Sequence, residues 1–302
     1  MPSSEPALGS VQFTLARCRR CGSALTIEPA PAGSHELGAY GGGQPRLYRA
    51  VAPLLSRFDR RRLSLLRTLA PPGARLLDVG AGRGRFVLSA LRAGYDASGI
   101  EPSERGLAGA VSLGAPVVGS DIAGAAIVPG SLDAVTLWHV LEHLEDPGGG
   151  LERIGEWLTP GGVLLVGVPN LGSLQAGLGG RRWYHLDVPR HRTHFTQAGL
   201  HQLLERHGFD VRRTVHVLGE HNPFGMWQSL VNRITTTPSY LYHLLKRNAP
   251  LRAGDLILSV LALPLAPVAA ALELLAGAAR RGGTMAVLAV VAKRPGAEER
   301  RE

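Results

Sequence analysis

From Arg75 onward, short apolar stretches alternate with helical ones, and no feature constrains the fold of this chain more. Residues 75–79, 97–101, 115–119, 132–138 and 162–168 have the composition of strands, and helical or loop stretches near 84–93, 103–112 and 147–158 separate them. Strand, helix, strand is the unit of a parallel sheet covered by helices on both faces. Phe195-Thr196-Gln197 opens a further helix that Gly208 closes. A strand follows at 210–218, and a last one lies far downstream at 285–292. The expected fold is α/β and doubly wound.

The first strand runs into Leu76-Leu77-Asp78-Val79-Gly80-Ala81-Gly82-Arg83-Gly84, an apolar run, a glycine-rich turn and the start of a helix. Glycines let a backbone turn sharply and come close to a ligand. In open α/β sheets a ligand sits beyond the carboxyl ends of the strands, near such a helix N-terminus. A dinucleotide fingerprint would read G-x-G-x-x-G; here Gly80, Gly82 and Gly84 are spaced G-x-G-x-G and position 85 is Arg. Asp78 is placed to hold the amino group or the water network of a cationic amino-acid ligand. Glu101 ends the second strand, where a carboxylate accepts both hydroxyls of a ribose. Asp121, after the third strand, is placed to take an adenine amino group, with Ile122 beside it. A helix cap or a surface charge is the ordinary use of any one such acid, but three at successive strand ends form a pattern.

The fourth-strand region reads Leu132-Asp133-Ala134-Val135, then Trp138-His139-Val140-Leu141-Glu142-His143-Leu144 and Asp146-Pro147. The turn into the fifth strand reads Leu158-Thr159-Pro160-Gly161-Gly162-Val163-Leu164. With these blocks, residues 75–218 resemble the class I methyltransferase superfamily, in particular the branch that includes ubiquinone-pathway O-methyltransferases. The resemblance implies S-adenosylmethionine as cofactor and a seven-stranded, Rossmann-like sheet whose last strand, expected at 285–292, enters antiparallel between the fifth and sixth. It places Asp78, Gly80, Gly82, Gly84, Glu101, Asp121, Ile122 and Trp138 in the cofactor set.

Methyl transfer is an in-line displacement, so positioning supplies much of the rate, and an oxygen nucleophile also needs a base. Candidate bases fall in two places. One is His139, followed by Glu142 and His143. In some relatives an acid, then Glu-His three residues later, binds a divalent metal; here His139 stands in the acid's place, and no metal is expected. The other is Trp183-Tyr184-His185-Leu186-Asp187-Val188-Pro189-Arg190-His191-Arg192-Thr193-His194, between the fifth strand and the next helix, where the superfamily often builds its acceptor pocket. His185, His191 and His194 are candidate bases there, with His191 preferred. The ordinary alternative is a structural loop whose histidines bond to backbone.

Residues 1–45 are rich in Pro, Gly and Ser and are expected to be loosely ordered. Cys18 and Cys21 form a C-x-x-C-G resembling half a zinc ribbon, but structural zinc takes four ligands and His35 is the only nearby addition, so an unoccupied knuckle is expected. Residues 46–69 have helical spacing, and Arg57, Arg60, Arg61, Arg62 and Arg67 are expected on a solvated face. The expected core is then 46–218 with its last strand at 284–294, interrupted by an insertion at 219–283 and followed by a charged tail at 295–302.

Within the insertion, Leu256 to Leu272 is 17 residues without a charge. At about 1.5 Å per residue that is about 26 Å, short of a bilayer's hydrocarbon core. Pro264 and Pro267 interrupt it, so a bent hairpin over 238–281 is expected, serving as a lid, a homodimer contact or a membrane-surface dock. The net charge of +9 invites thoughts of nucleic acid, but aromatics are 5% and only Lys246 and Lys293 are lysines. A genome-wide bias toward arginine explains the charge, and no nucleic-acid partner is expected. The N-terminus lacks a basic start and an apolar run, so a cytoplasmic protein is expected, peripheral at most on the inner face of a membrane. The expected acceptor is a hydroxyl on a lipid-linked, quinone-like or glycan molecule. The alternatives are C- or N-methylation of a nucleotide sugar or small metabolite, and a non-catalytic scaffold.

Overall fold

The computed structural model describes residues 1–3, 11–29, 48–219, 222–245 and 249–292. His35, Gly41–Gly43 and the tail 295–302 lie outside the described residues. In chain order the elements are β1 (Leu15–Arg17), β2 (Ala24–Thr26), α1 (Tyr48–Leu66), β3 (Arg75–Val79), α2 (Arg85–Arg92), β4 (Asp96–Glu101), α3 (Glu104–Ser112), β5 (Val117–Gly119), β6 (Leu132–Trp138), α4 (Pro147–Trp157) and β7 (Leu158–Pro169). Then follow α5 (Leu174–Gly179), β8 (Thr193–His194), α6 (Gln197–Arg206), β9 (Phe209–Val215), α7 (Asn222–Val231), α8 (Tyr240–Leu245), α9 (Ala253–Leu261), α10 (Ala266–Ala278) and β10 (Thr284–Val291).

Seven strands form one sheet in the order β5-β4-β3-β6-β7-β10-β9. Neighbours from β5 to β7 are parallel, and β10 runs antiparallel to both β7 and β9. This is the doubly wound sheet with a reversed last strand that the sequence led us to expect. The central strands are buried on both faces, hence their unbroken Val/Leu/Ala runs: Val163–Val168 of β7 and Thr284–Ala289 of β10 are all buried. One face packs against α4 and α6 through Leu151, Ile154, Trp157, Leu200 and Leu204. The other meets α1 and α2 through Leu63, Leu66, Phe86, Val87 and Ala90. Local signals set the helix starts: Ser103, Asp146, Ser173 and Thr196 each accept from a backbone N–H in the first turn of α3, α4, α5 and α6.

Two expectations need correction. The N-terminal region is not loosely ordered throughout. Residues 15–26 form a hairpin that adds β8 as a third strand. Thr26 locks it in place: its N–H donates to the Arg192 carbonyl at 2.9 Å, and its hydroxyl donates to the His191 carbonyl at 2.7 Å and meets His194 Nε2 at 2.9 Å. Phe13 adds apolar contact with Trp183, Leu186 and Val188. Strands this short carry no periodic signal. Cys18 and Cys21 are free thiols at the hairpin turn.

The insertion is also not a hairpin. Ala253–Ala278 runs on as 26 residues of helix with mean hydropathy 2.1, long and apolar enough to cross a membrane. Pro264 sits in a single 3-10 turn, Leu263–Leu265, that joins α9 to α10 without reversing the chain. A first-turn proline needs no amide partner, so the helical path continues through it.

Candidate active site

The turn after β3 takes a path that demands glycine. Gly80, Gly82 and Gly84 have φ of 70°, 53° and 73°, in the left-handed region. A Cβ on Gly80 would lie 2.4 Å from Val140, and one on Gly84 would lie 2.3 Å from Ala115. Gly84 therefore lets α2 pack closely on the chain before β5. That is the packing role of the third glycine in a dinucleotide turn, reached with a shorter spacing.

The Glu101 carboxylate closes this turn. It accepts from the Gly82 amide at 2.7 Å, the Ser103 amide at 2.9 Å and the Ser103 hydroxyl at 2.6 Å. A carboxylate has about four acceptor positions, so one, on Oε2, remains for a ligand hydroxyl. Beyond the strand ends opens a cavity of about 300 Å³. Gly80, Glu101, Asp121 and Ile122 line one part of it, and His139, Val140 and His143 another. Asp121 is exposed and caps its own turn through the Gly124 amide at 2.7 Å. Four of the eight expected cofactor residues thus share one cavity.

Asp78, Gly82, Gly84 and Trp138 do not line it. Asp78 is buried behind the turn and accepts from the Thr136 hydroxyl at 2.6 Å. Burial pushes its carboxyl up to about 6, against the hydrogen bond from Thr136 and the charge of Arg62. Arg62 breaks the expectation of a solvated arginine face: its guanidinium lies 4.2 Å from the centroid of Trp138 and 5.8 Å from that of Phe86. No sequence signal separates it from Arg60 and Arg61. Only its place in the fold, over Trp138 and Phe86, does.

The histidines divide sharply. His139 sits at φ 58°, lines the cavity, and places Nδ1 3.0 Å from Glu142 Oε1. Its ring stacks parallel to His185, with centroids 6.1 Å apart. His185 is buried against Trp183 and Tyr184, and Tyr184 meets Phe224 and Tyr242 edge-on at 5.4 and 5.8 Å. His191, preferred from the sequence, does not reach the cavity. It is buried, its Nδ1 meets the His185 carbonyl at 2.9 Å, and burial pushes its pKa down to about 4. His194 is further removed, held by Thr26 and pushed down to about 3 by burial.

Glu142 joins the two groups. It is buried, 3.0 Å from His139 and 3.9 Å from His191 Nε2, and its Oε2 has no hydrogen-bond partner among the described residues. Burial pushes this carboxyl up, but the His139 hydrogen bond and the charges of His139, His143 and His191 outweigh it and hold it below its usual range. Ligand atoms of Glu142, His143 and His191 lie within 4.8 Å of one another. The compact set that could hold a cation therefore includes His191 in place of His139.

Residues 49–214, more than half of the chain, match a family described as a methyltransferase domain. The chain belongs to that family, within the class I S-adenosylmethionine-dependent methyltransferase superfamily. It is 36% identical over 109 residues to a ubiquinone biosynthesis O-methyltransferase of Ralstonia nicotianae, covering 33% of this chain and 46% of the relative. It is 32% identical over 143 residues to the enzyme of the same name from Methylococcus capsulatus, covering 45% and 57%. The chain spans about half the length of these curated relatives. Among solved structures, a 4+2 cyclase superposes with a TM-score of 0.52 at 18% identity, over 89% of this chain and 99% of the other. That likeness concerns the fold alone.

Proposed function

We propose that this chain transfers the methyl group of S-adenosylmethionine to a hydroxyl of a lipid-linked or quinone-like acceptor, with His139 as base. The observation that carries the proposal is the single cavity with Glu101, Asp121 and Ile122 on one wall and a carboxylate-held imidazole, His139, on the other. The bound cofactor supplies an electrophilic sulfonium methyl. Glu101 would hold a ribose hydroxyl, Asp121 the adenine amino group and Ile122 the adenine ring. Behind the glycine turn and outside the cavity, Arg62 and Asp78 would complement a zwitterion through their charges, cation toward carboxylate and carboxylate toward ammonium.

Because Glu142 accepts at Oε1, the His139 tautomer carries its proton on Nδ1 and leaves Nε2 as an acceptor. Nε2 would take the proton of the acceptor hydroxyl as its oxygen is methylated; the cofactor, when bound, would supply the methyl group and keep the carbon–sulfur electron pair as a neutral thioether. Glu142 stabilises the imidazolium. The rings of Tyr184, Phe224 and Tyr242, reached from His139 through His185, suit a planar or apolar acceptor. The O-methyltransferase relatives support oxygen as the nucleophile.

A second reading rests on the unpartnered Glu142 Oε2. Glu142, His143 and His191 fit a divalent cation, since a buried imidazole held neutral is a ready ligand, and the ion would supply Lewis-acid polarisation of the acceptor hydroxyl. The discriminating experiment pairs calorimetry with turnover after chelation. Glu101→Ala weakens S-adenosylhomocysteine binding by about 1.5–3 kcal/mol. His139→Ala leaves that binding intact and lowers turnover about 10²-fold or more, with or without chelator. Turnover abolished by chelation and restored by a divalent cation selects the second reading.

A further inference from the structure

We infer that the outer face of α9 and α10 is a docking surface for an anionic lipid bilayer, on which the helix lies without crossing. The two helices are built inside out. The side that packs on the protein carries Asp255, Ser259, Ala262, Ala269, Glu273 and Gly277, all buried. The large aliphatics face solvent: Ile257, Leu261, Leu263, Leu265, Val268 and Leu275 are 49–71% exposed. A helix covering a soluble core shows the reverse pattern, and a contiguous apolar face of this size marks a surface that meets something.

The charges say what it meets. Every exposed charge between residues 251 and 281 is an arginine: Arg252 at one end, Arg280 and Arg281 at the other. The two acids of the segment are buried. A second copy of this chain would bring arginine against arginine, whether the faces paired parallel or antiparallel. Anionic headgroups supply the opposite charge at both ends, and arginine stems can lie along the apolar surface.

The buried acids also decide between lying and spanning. The Asp255 carboxylate accepts from the Thr236 amide and hydroxyl at 2.8 Å and from the Thr237 amide at 3.2 Å. Glu273 accepts from Gln175 Nε2 at 3.0 Å and the Gly283 amide at 2.7 Å. Trp227 of α7 donates to the Ala262 carbonyl, just before the 3-10 turn, at 2.8 Å. These bonds hold both ends and the middle against the domain, and crossing would break them and leave two carboxylates in hydrocarbon. Lying in the headgroup boundary breaks none. Phe224 on the same α7 reaches Tyr184, so the docked helix stands one helix away from the rings beside His139.

Flotation of the full chain with phosphatidylglycerol–phosphatidylcholine vesicles, beside pure phosphatidylcholine, tests the inference at low salt. The wild type floats with the anionic vesicles and far less with the neutral ones. Leu261→Glu, Leu265→Glu and Leu275→Glu together lower the partition about tenfold or more and leave cooperative thermal unfolding in place. Arg252→Gln with Arg281→Gln lowers it about fivefold per arginine on anionic vesicles only. This pair, on exposed positions, decides the matter even where the triple variant fails to fold. Wild-type protein that does not float, or an arginine pair that floats as the wild type does, overturns the inference. So does a dimer that the leucine substitutions dissociate while lipid is ignored. None of these readouts depends on cofactor or turnover, so their failure leaves the proposed methyl transfer standing.

Discussion

Asp78 and His139 carry the two residue-scale consequences that solution measurements reach most directly. Asp78 is buried with its pKa near 6, so a sizeable fraction is protonated in mildly acid solution. An ammonium group pairs only with the ionised form. S-adenosylhomocysteine affinity should therefore rise as pH climbs through 6 and level off above 7, and Asp78→Asn should bind more weakly with no such rise. Calorimetry across pH 5–8 checks this; an identical profile in the variant would remove Asp78 from the ligand. His139 was visible in the sequence as one imidazole among several. What singled it out was its place in the cavity wall and its contact with Glu142, at a backbone φ of 58°. His191 and His194 have the same chemistry in the sequence but sit where burial keeps them neutral, so His194→Gln should leave turnover per folded molecule close to the wild type.

At the scale of the element, the loop 183–196 is a structural joint as much as a pocket wall. It holds β8, which seats the N-terminal hairpin, and it contains His191 and His194, the two histidines with large downward shifts. An unfolded histidine titrates near 6.5, whereas His191 and His194 hold to about 4 and 3. Between those values the unfolded chain binds more protons than the folded one. Folding stability is thus full above pH 6.5 and declines as pH falls toward 4, by on the order of a few kcal/mol for the pair. Urea midpoints measured from pH 7 to pH 4 should fall accordingly, and His194→Gln should flatten the decline; an unchanged slope would deny the buried, neutral state. The hairpin was illegible because three-residue strands have no period, and its partners lie more than 150 residues away. The inverted faces of α9 and α10 were illegible for another reason. The apolar run was plain in the composition, but nearly every position in it is apolar, so periodicity cannot tell which side turns outward.

For the whole molecule, β10 closes the fold, since it lies between β7 and β9 and pairs with both along most of its length. A chain ended at residue 283 should therefore fail to unfold cooperatively, and β7 would be left with an unpaired apolar edge; calorimetry and soluble yield check this. The strand–helix alternation, the glycine turn and the acids Glu101 and Asp121 at the strand ends were fixed by sequence alone, because periodicity, φ > 0 and strand-end placement are local properties. So was the family, through blocks that are contiguous in the chain. The tertiary structure alone decided which two of the histidines, His139 and His143, line the cavity and that Arg62 leaves its solvated neighbours to lie on Trp138. It alone brought His191 beside Glu142, and turned the leucines of α9 and α10 outward while burying Asp255 and Glu273. Each depends on how helices and loops pack across the sheet, and packing is set by contacts between residues far apart in the chain, which no local window contains.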